Sequence, residues 1–264
     1  MKHRPLEGKL ALVTGATGGL GLSIAETLAR SGCAVILNGI AERHEMTAVT
    51  RRIEQEHGVP VAYRRANLAE VAEIEDLAGS VAAETKGIDI LVNNAVVRHF
   101  SPIDSFPTER WNEAVAVNIS APFHLIRLLL PGMRTRDFGR ILNMVSVYGM
   151  RGTTNRIDYV ASKSALVGMT RAVALETLDH NVTCHAICPG TVLTPGTDDR
   201  VVRLMAETGK SRLEAEREFL RHKQPTGRFV EPENVGDLIV FLCGPAGRDM
   251  TGGVLPVDGG WLAD

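Results

Sequence analysis

Two residues of the chain have the types and the spacing for acid–base chemistry on a hydroxyl group. Tyr159 and Lys163 lie in a segment with a helical pattern, about 158–178, so their i, i+4 spacing places the phenol and the ammonium one turn apart on one face. A phenol is a poor base at neutral pH, but a neighbouring ammonium favours its ionised form. Ser146, thirteen residues before the tyrosine, adds a hydroxyl that can hydrogen-bond a substrate oxygen. The set predicts proton transfer to or from an alcohol or carbonyl group.

A glycine-rich segment, TGATGGLG at residues 14–21, lies between a short apolar run and a helical pattern. Glycines allow the backbone to approach a pyrophosphate closely, and a helix N-terminus offers it free N–H groups. The spacing departs from the common GxGxxG pattern, and such a segment alone is a weak signal. Its position between a strand and a helix favours a dinucleotide site over a plain tight turn. The residues predicted to contact a cofactor here are Gly15, Thr17, Gly19, Leu20 and Gly21.

Short apolar runs alternate with helical patterns along the rest of the chain. The predicted strands cover residues 10–13, 34–37, 61–64, 88–92, 140–145, 183–187 and 254–257. Long helical patterns cover about 108–133 and 158–178. This alternation predicts a doubly wound α/β fold, in which a parallel sheet of about seven strands has helices on both faces. Because no repeat or linker interrupts it, we expect a single domain over residues 1–264.

Residues 191–230 depart from this rhythm with a turn-rich opening, TPGTDD, followed by two polar helical segments. An insertion just past the end of a predicted strand is a common position for a loop that covers a substrate. We therefore expect a substrate lid over 191–230.

Composition and charge argue against several classes of partner. The chain has 29 basic and 31 acidic side chains, a formal charge of −2, so it lacks the basic excess of nucleic-acid-binding or anionic-membrane-binding proteins. Cys184 and Cys188 lie about 13 Å apart along a predicted strand, too far for a shared metal or a disulfide. No apolar stretch approaches the length of a membrane span, because Arg127 interrupts HLIRLLL, and the first apolar run is too short for a signal peptide. We expect a cytoplasmic protein with neither a metal, a nucleic acid nor a membrane as partner.

Taken together and in this order, the motifs resemble the short-chain dehydrogenase/reductase family over essentially the whole chain. NNA at 93–95 is similar to the family's NNAG segment, with Val96 in place of glycine, and PGTV at 189–192 is similar to the turn that folds over the nicotinamide. The resemblance implies a Rossmann-type fold, a nicotinamide cofactor and the acid–base set Ser146, Tyr159 and Lys163. It also implies that Asn118 helps to hold a water-linked proton relay behind the lysine, and that the protein is a homotetramer.

The resemblance extends the predicted cofactor site beyond the glycine loop. The added positions are Asn38, Asn67, Leu68, Asn94, Ala95, Tyr159, Lys163, Pro189, Gly190, Val192 and Thr194. Asn67 stands where an aspartate commonly meets the adenine amino group. The end of the second strand decides between NAD and NADP, since an acidic residue there favours a free ribose hydroxyl and basic groups favour a phosphate. Asn38 and Gly39 are neither acidic nor basic, and Arg43 is predicted to be solvated. The absence of a basic group to hold a ribose phosphate favours NAD over NADP.

Within the family, four stretches resemble D-3-hydroxybutyrate dehydrogenases: ILNGI at 36–40, FPTERW at 106–111, KQPTGRFVEPE at 223–233 and DGGW at 258–261. Those enzymes hold a small carboxylate with Gln, His, Lys and Gln, where this chain has Arg98, Tyr148, Arg156 and Arg200. Arg156 and Arg200 are similar to the paired arginines that grip a sulfonate in hydroxypropyl-coenzyme M dehydrogenases.

These four residues, with Ser146, predict a pocket for a small anion, because a guanidinium matches carboxylate and sulfonate oxygens. The expected substrate is a hydroxy-sulfonate, a sulfonated sugar or a hydroxycarboxylic acid. Two alternatives remain open. In the first, the arginines are solvated lid residues and the substrate is a neutral sugar or another uncharged alcohol. In the second, the chain is a non-catalytic nucleotide-binding regulator.

Overall fold

A computed structural model describes residues 4–264 and contains one parallel sheet. Its strands are β1 (Leu10–Val13), β2 (Ala34–Gly39), β3 (Val61–Arg65), β4 (Ile90–Asn93), β5 (Gly139–Met144), β6 (Val182–Pro189) and β7 (Val254–Val257). Their order in space is β3-β2-β1-β4-β5-β6-β7, and all neighbours are parallel. The predicted seven-stranded Rossmann-type sheet is confirmed, with strand ends shifted by up to two residues. The chain order reverses between β1 and β4, which opens a crevice at their carboxyl ends.

Helices connect the strands and cover both faces of the sheet. They are α1 (Gly19–Arg30), α2 (Arg43–His57), α3 (Val71–Glu84), α4 (Thr108–Val115), α5 (Ala121–Thr135), α6 (Ile157–Leu175), α7 (Pro195–Thr208), α8 (Arg212–Leu220) and α9 (Pro232–Cys243). A π-helical turn, Ala116–Ser120, joins α4 to α5. Successive side chains of a strand point to opposite faces, so β1 supplies Ala11 and Val13 to one apolar core and Leu12 to the other. Helices α1, α2 and α9 close the first core, and α3 and α5 close the second.

The helix that contains Arg127 is longer than predicted. It runs without interruption over Thr108–Thr135, 28 residues with an apolar window of mean hydropathy 1.4, so length and composition alone would allow it to cross a membrane. The core helix of a globular protein passes the same test, so the expectation that the chain has no membrane span is not overturned. Arg127 interrupts the apolar run but not the helix, because arginine is a good helix former and this side chain is exposed, with its guanidinium 3.1 Å from Glu75 of α3. On the buried face, Leu125 and Met133 pack in the second core.

The segment between β6 and α9 extends away from the sheet, and its two ends pair with each other. Val192 and Val230 form an isolated parallel bridge, with hydrogen bonds of 3.0 Å from the Leu193 amide to the Val230 carbonyl and from the Val230 amide to the Thr191 carbonyl. Helices α7 and α8 pack on each other between these points. We call residues 191–230 the α7–α8 excursion.

Candidate active site

A cavity of about 670 Å³ lies at the carboxyl ends of β1, β4, β5 and β6. Its walls are the glycine loop, the segments after β4 and β5, the start of α6, the turn after β6 and the α7–α8 excursion. The predicted cofactor and catalytic residues that line it are Gly15, Gly19, Leu20, Gly21, Asn94, Ala95, Ser146, Tyr159, Lys163, Pro189, Gly190, Val192 and Thr194. Thus the strand ends bring together residues that are far apart in the chain.

The glycine loop is held against the segment after β4, and it leaves no room for a side chain at Gly15 or Gly21. The side-chain Nδ2 of Asn94 donates to the carbonyls of Thr14, at 2.9 Å, and Gly15, at 3.0 Å. A Cβ on Gly21 would lie 2.4 Å from that amide nitrogen, and Gly15 has a positive φ of 60°. At Gly18, the residue before α1, no side chain caps the helix. The first amides of α1 therefore remain available to an anion, which fits the phosphates of a nicotinamide cofactor.

Lys163 is buried beside Tyr159 on α6. Its Nζ donates to the Met144 carbonyl at 2.6 Å and lies 5.6 Å from the centre of the tyrosine ring. Burial lowers the pKa of Lys163 to about 7, and the charge of Arg98 adds to this effect. Ser146 accepts a hydrogen bond from the Tyr148 amide at 3.3 Å, which leaves its own hydroxyl hydrogen free to be donated. The three side chains line one cavity, as expected of a hydroxyl-directed acid–base set.

Asn118 lies in the π-helical turn, outside the lining of the cavity. Its Oδ1 accepts from the Val97 amide at 2.9 Å, and its Nδ2 donates to the Val97 carbonyl at 3.0 Å and to the Ser162 hydroxyl at 3.3 Å. The side chain therefore fastens the segment after β4 to α6. The proton relay implied by the resemblance stays a prediction.

Asn38, Asn67, Leu68 and Thr17 also lie outside the cavity lining. The fully buried Asn38 amide donates to the carbonyls of Arg64 and Ala66, at 3.1 and 3.3 Å, so it joins β2 to the end of β3. The Asn67 Oδ1 accepts from the backbone two residues further on, at 3.1 Å, and so forms a local turn. Both amides thus have structural partners, and the cofactor contacts predicted for these four residues remain predictions.

Four cationic side chains besides Lys163 line the cavity. Arg98, Arg156 and Arg200 are the predicted ones, and Lys223 is the fourth. No aspartate or glutamate belongs to the lining formed by residues 4–264, and none of the salt bridges described for that part of the chain involves these four residues. The cavity therefore has a positive charge that the described residues do not compensate.

Arg156 is the most enclosed of the three arginines. Its guanidinium carbon lies 4.6, 5.2 and 4.7 Å from the ring centres of Tyr159, Tyr148 and Phe100. Its Nε is buried without a hydrogen-bond partner in the described structure. Burial lowers the pKa of Arg156, and Arg98 and Arg200 act in the same direction against the opposing effect of the tyrosines.

Several lining residues were not predicted from the sequence, and among them are the large side chains of Phe219, Lys223 and Trp261. The Lys223 Nζ lies 3.7 Å from the centre of the Phe219 ring, and Trp261 packs edge-on against Tyr148 with ring centres 5.5 Å apart. Lys223 and Trp261 both fall in stretches that carry the resemblance, KQPTGRF and DGGW. A lysine inside a predicted lid is the signal that could have identified Lys223.

A buried carboxylate positions the segment that contains Arg98. The Asp158 Oδ2 accepts from the His99 amide at 3.0 Å and lies 3.2 Å from its Nδ1. The His99 Nε2 lies 3.2 Å from Glu113 of α4. Since Asp158 precedes Tyr159 on α6, this contact holds the Arg98 segment next to Tyr159.

The comparisons with known proteins agree with this geometry. The family model described as short chain dehydrogenase matches residues 9–203. A D-beta-hydroxybutyrate dehydrogenase of Cupriavidus necator is 43% identical over 258 residues, which cover 98% of this chain and 99% of that protein. One of Rhizobium meliloti is 37% identical over 255 residues, 97% of this chain and 99% of that protein.

Among solved structures, the L-sorbose reductase of Gluconobacter frateurii, complexed with NADPH and L-sorbose, superimposes with a TM-score of 0.93. It is 28% identical, and 99% of each chain is covered.

Proposed function

Since this chain belongs to the short-chain dehydrogenase family, and is thus an NAD(P)-dependent oxidoreductase of CH–OH groups, we propose that it acts on a small anionic secondary alcohol. In the oxidative direction the Tyr159 phenolate, which the Lys163 ammonium stabilises, takes the hydroxyl proton and becomes the neutral phenol. Ser146 donates a hydrogen bond to the substrate oxygen. The glycine loop, the amides of α1 and Lys163 hold the nicotinamide cofactor, which supplies the hydride chemistry when bound.

The observation that carries the proposal is the uncompensated charge beside the acid–base set. Arg98, Arg156, Arg200 and Lys223 line the cavity with no carboxylate among its described walls. Arg156 and Lys223 are half-buried, and Arg98 and Arg200 are exposed. A partly buried charge is costly unless it is paired, and four unpaired cations around one cavity favour a ligand that brings negative charge. A guanidinium offers parallel N–H donors that match carboxylate, sulfonate or phosphate oxygens.

Two substrate classes satisfy this chemistry: hydroxycarboxylic acids, and hydroxy-sulfonates or sulfonated sugars. The likeness to two D-beta-hydroxybutyrate dehydrogenases supports the first class. The arginines at three of the pocket positions support a group with more acceptor oxygens than a carboxylate, such as a sulfonate. We propose that the α7–α8 excursion is the substrate lid, since it carries Arg200 and Lys223 and its two ends meet at the Val192–Val230 bridge.

We propose NAD as the preferred cofactor. Asn38 and Gly39, at the end of β2, bring no charge to the region where the adenosine ribose binds in this fold. The nearby Arg65 forms an ion pair with Glu42, at 3.2 Å, which weakens it as a phosphate ligand, and Arg43 is exposed at the start of α2.

We also propose that the protein is a homotetramer. Exposed apolar side chains on the outer helices support an interface: Phe123 on α5 is 50% exposed, and Leu175 and Leu178, at and beyond the end of α6, are 71% and 63% exposed. Light scattering after size exclusion tests this, since a monomeric mass at micromolar concentration contradicts it.

The substrate proposal is tested by initial rates with NAD on a matched series: 3-hydroxybutyrate, 2-hydroxypropanesulfonate and the neutral methyl ester of 3-hydroxybutyrate. We expect either anion to exceed the ester in kcat/KM by at least about tenfold, which corresponds to about 1.4 kcal/mol. The Tyr159→Phe variant is the control for background oxidation. A preference for the ester would favour a neutral alcohol, and nucleotide binding without turnover of a broad alcohol panel would favour a regulator.

A further inference from the structure

The number of cations in the cavity exceeds what a singly charged substrate can neutralise. Five cationic side chains line it, and one of them, Lys163, is held by the Met144 carbonyl within the acid–base set. The other four are Arg98, Arg156, Arg200 and Lys223. A monoanion would leave most of this charge uncompensated inside a partly enclosed space.

The four cations approach the cavity as two pairs from two parts of the fold. Arg98 and Arg156 belong to the segments beside Tyr159, with guanidinium carbons 5.9 and 4.6 Å from the centre of its ring. Arg200 and Lys223 belong to the α7–α8 excursion, and the lysine rests on the face of Phe219. A ligand between the two pairs has cationic groups on two sides.

The cations also act on one another. Burial lowers the pKa of Lys223, and Arg200 and Arg156 lower it further. Burial likewise lowers the pKa of Arg156, with contributions from Arg98 and Arg200. This repulsion extends across both pairs, so it is relieved fully only by negative charge that reaches both.

We propose that the substrate is a secondary alcohol with two negative charges, and that Lys223 is the residue that selects for the second one. The inference rests on the proposed function of the site. The shared chemistry is a net charge of −2, carried either by two singly ionised groups, as in a hydroxy-dicarboxylate, or by one doubly ionised group, as in a phosphate monoester. The glycine loop and the free amides at the start of α1, rather than these four cations, would hold the cofactor phosphates.

Binding of unreactive probes to the NADH-loaded protein tests the charge directly. The probes are methyl butyrate, butyrate and glutarate, which share a short carbon chain and carry no, one and two negative charges, with propyl phosphate as the doubly ionised group. Isothermal titration calorimetry gives Kd for each. We expect glutarate or propyl phosphate to bind at least about tenfold more tightly than butyrate. Which of the two binds better distinguishes two separate charges from one doubly charged group.

Lys223→Met keeps most of the side-chain length and removes the charge. We expect it to weaken glutarate or propyl phosphate at least about tenfold, butyrate by less than about threefold, and NADH hardly at all. Lys223→Arg should restore most of the preference for the dianion, which separates loss of charge from loss of folding. Lys210→Met is the matched control, because Lys210 is an exposed lysine of the same excursion that pairs with Glu218.

The outcomes separate the two proposals. If butyrate binds as tightly as the dianions and all bind better than the ester, the anionic site stands and the two-charge inference is wrong. If Lys223→Met weakens butyrate and glutarate equally, Lys223 does not select for the second charge. Equal binding of the ester and the anions overturns the proposed function itself, and no measurable binding of either dianion overturns the inference.

Discussion

Replacing Arg200 by alanine removes a guanidinium that lines the cavity from α7 and has no ion-pair partner among the described residues. A charge-assisted hydrogen bond contributes about 1.5–3 kcal/mol, and each 1.4 kcal/mol is tenfold, so KM for the true substrate should rise roughly ten- to a hundredfold. Because Arg200 is exposed and solvent screens its charge, we expect the lower part of this range. Arg156→Ala should cost more, since Arg156 is half-buried with its Nε unpartnered.

The assay is steady-state kinetics on the best substrate of the charge series, with cofactor and substrate varied separately. Cofactor KM should change little, because Arg200 belongs neither to the glycine loop nor to α1, which would hold the cofactor phosphates. Arg200→Lys should recover only part of the loss, since one ammonium does not reproduce a two-pronged contact. Arg203→Ala is the control on the same helix: Arg203 is exposed and outside the cavity lining, so its loss should change KM by less than about twofold.

Two results would refute the reasoning. One is an Arg200→Ala protein that equals the wild type on every anionic substrate it accepts. The other is a neutral alcohol that proves the best substrate and is indifferent to the Arg156→Ala and Arg200→Ala replacements. In either case the arginines form a solvated lid surface, and the substrate belongs among sugars and uncharged alcohols.

Three further predictions concern the acid–base set and the cofactor. Tyr159→Phe should abolish turnover while NADH fluorescence titration still shows cofactor binding, and a variant that kept most of its kcat would exclude Tyr159 as the base. Since the pKa of Lys163 is lowered from 10.5 to about 7 in the cofactor-free fold, its buried ammonium destabilises the protein at and below pH 7 and the cost disappears as the pH rises toward 10.5. Urea unfolding should therefore show that the free energy of unfolding of Lys163→Met, relative to that of the wild type, is higher at pH 6.5 than at pH 10. The difference between the two pH values should be a few kcal/mol, on the order of the free energy that corresponds to the pKa shift. A stability difference that does not depend on pH would contradict this. Finally, kcat/KM should favour NAD over NADP by at least about tenfold, whereas a preference for NADP would show that Arg43 or Arg65 reaches the phosphate.

The sheet and the glycine loop could be predicted because their signals are local. A strand buried on both faces of a parallel sheet is a nearly continuous apolar run, and LALV of β1 has that form. The glycines at 15 and 21 are required by the close approach of Asn94 and Ala95, and their placement between a strand and a helix is visible in the sequence. The catalytic spacing on α6 is equally local.

Side-chain orientation and long-range contacts could not be predicted in this way. The position of Asn38 at a strand end does not reveal that its amide turns toward β3. Nothing near Arg127 in the sequence indicates that Glu75, on another helix, accepts its charge. Lys223 reaches the cavity only because the Val192–Val230 bridge returns the excursion to the sheet. Each of these depends on tertiary packing rather than on neighbouring residues.

One of the cations proposed to bind an anion, Arg98, also acts on Lys163, the lysine proposed to support proton transfer. We therefore expect substrate charge to affect proton transfer. After burial, the charge of Arg98 is the largest influence that lowers the pKa of Lys163. An anion bound beside Arg98 offsets that charge, so the ammonium of Lys163, which the Tyr159 phenolate requires, persists to higher pH. With cofactor saturating, the alkaline limb of kcat should therefore lie at higher pH than the alkaline limb of kcat/KM, since only the former reports the substrate-bound enzyme. Arg98→Met should move the alkaline limb of kcat/KM to higher pH and so reduce its separation from the alkaline limb of kcat. Coincident limbs in the wild type, or a separation unchanged by Arg98→Met, would show that Arg98 does not couple the anion to the lysine.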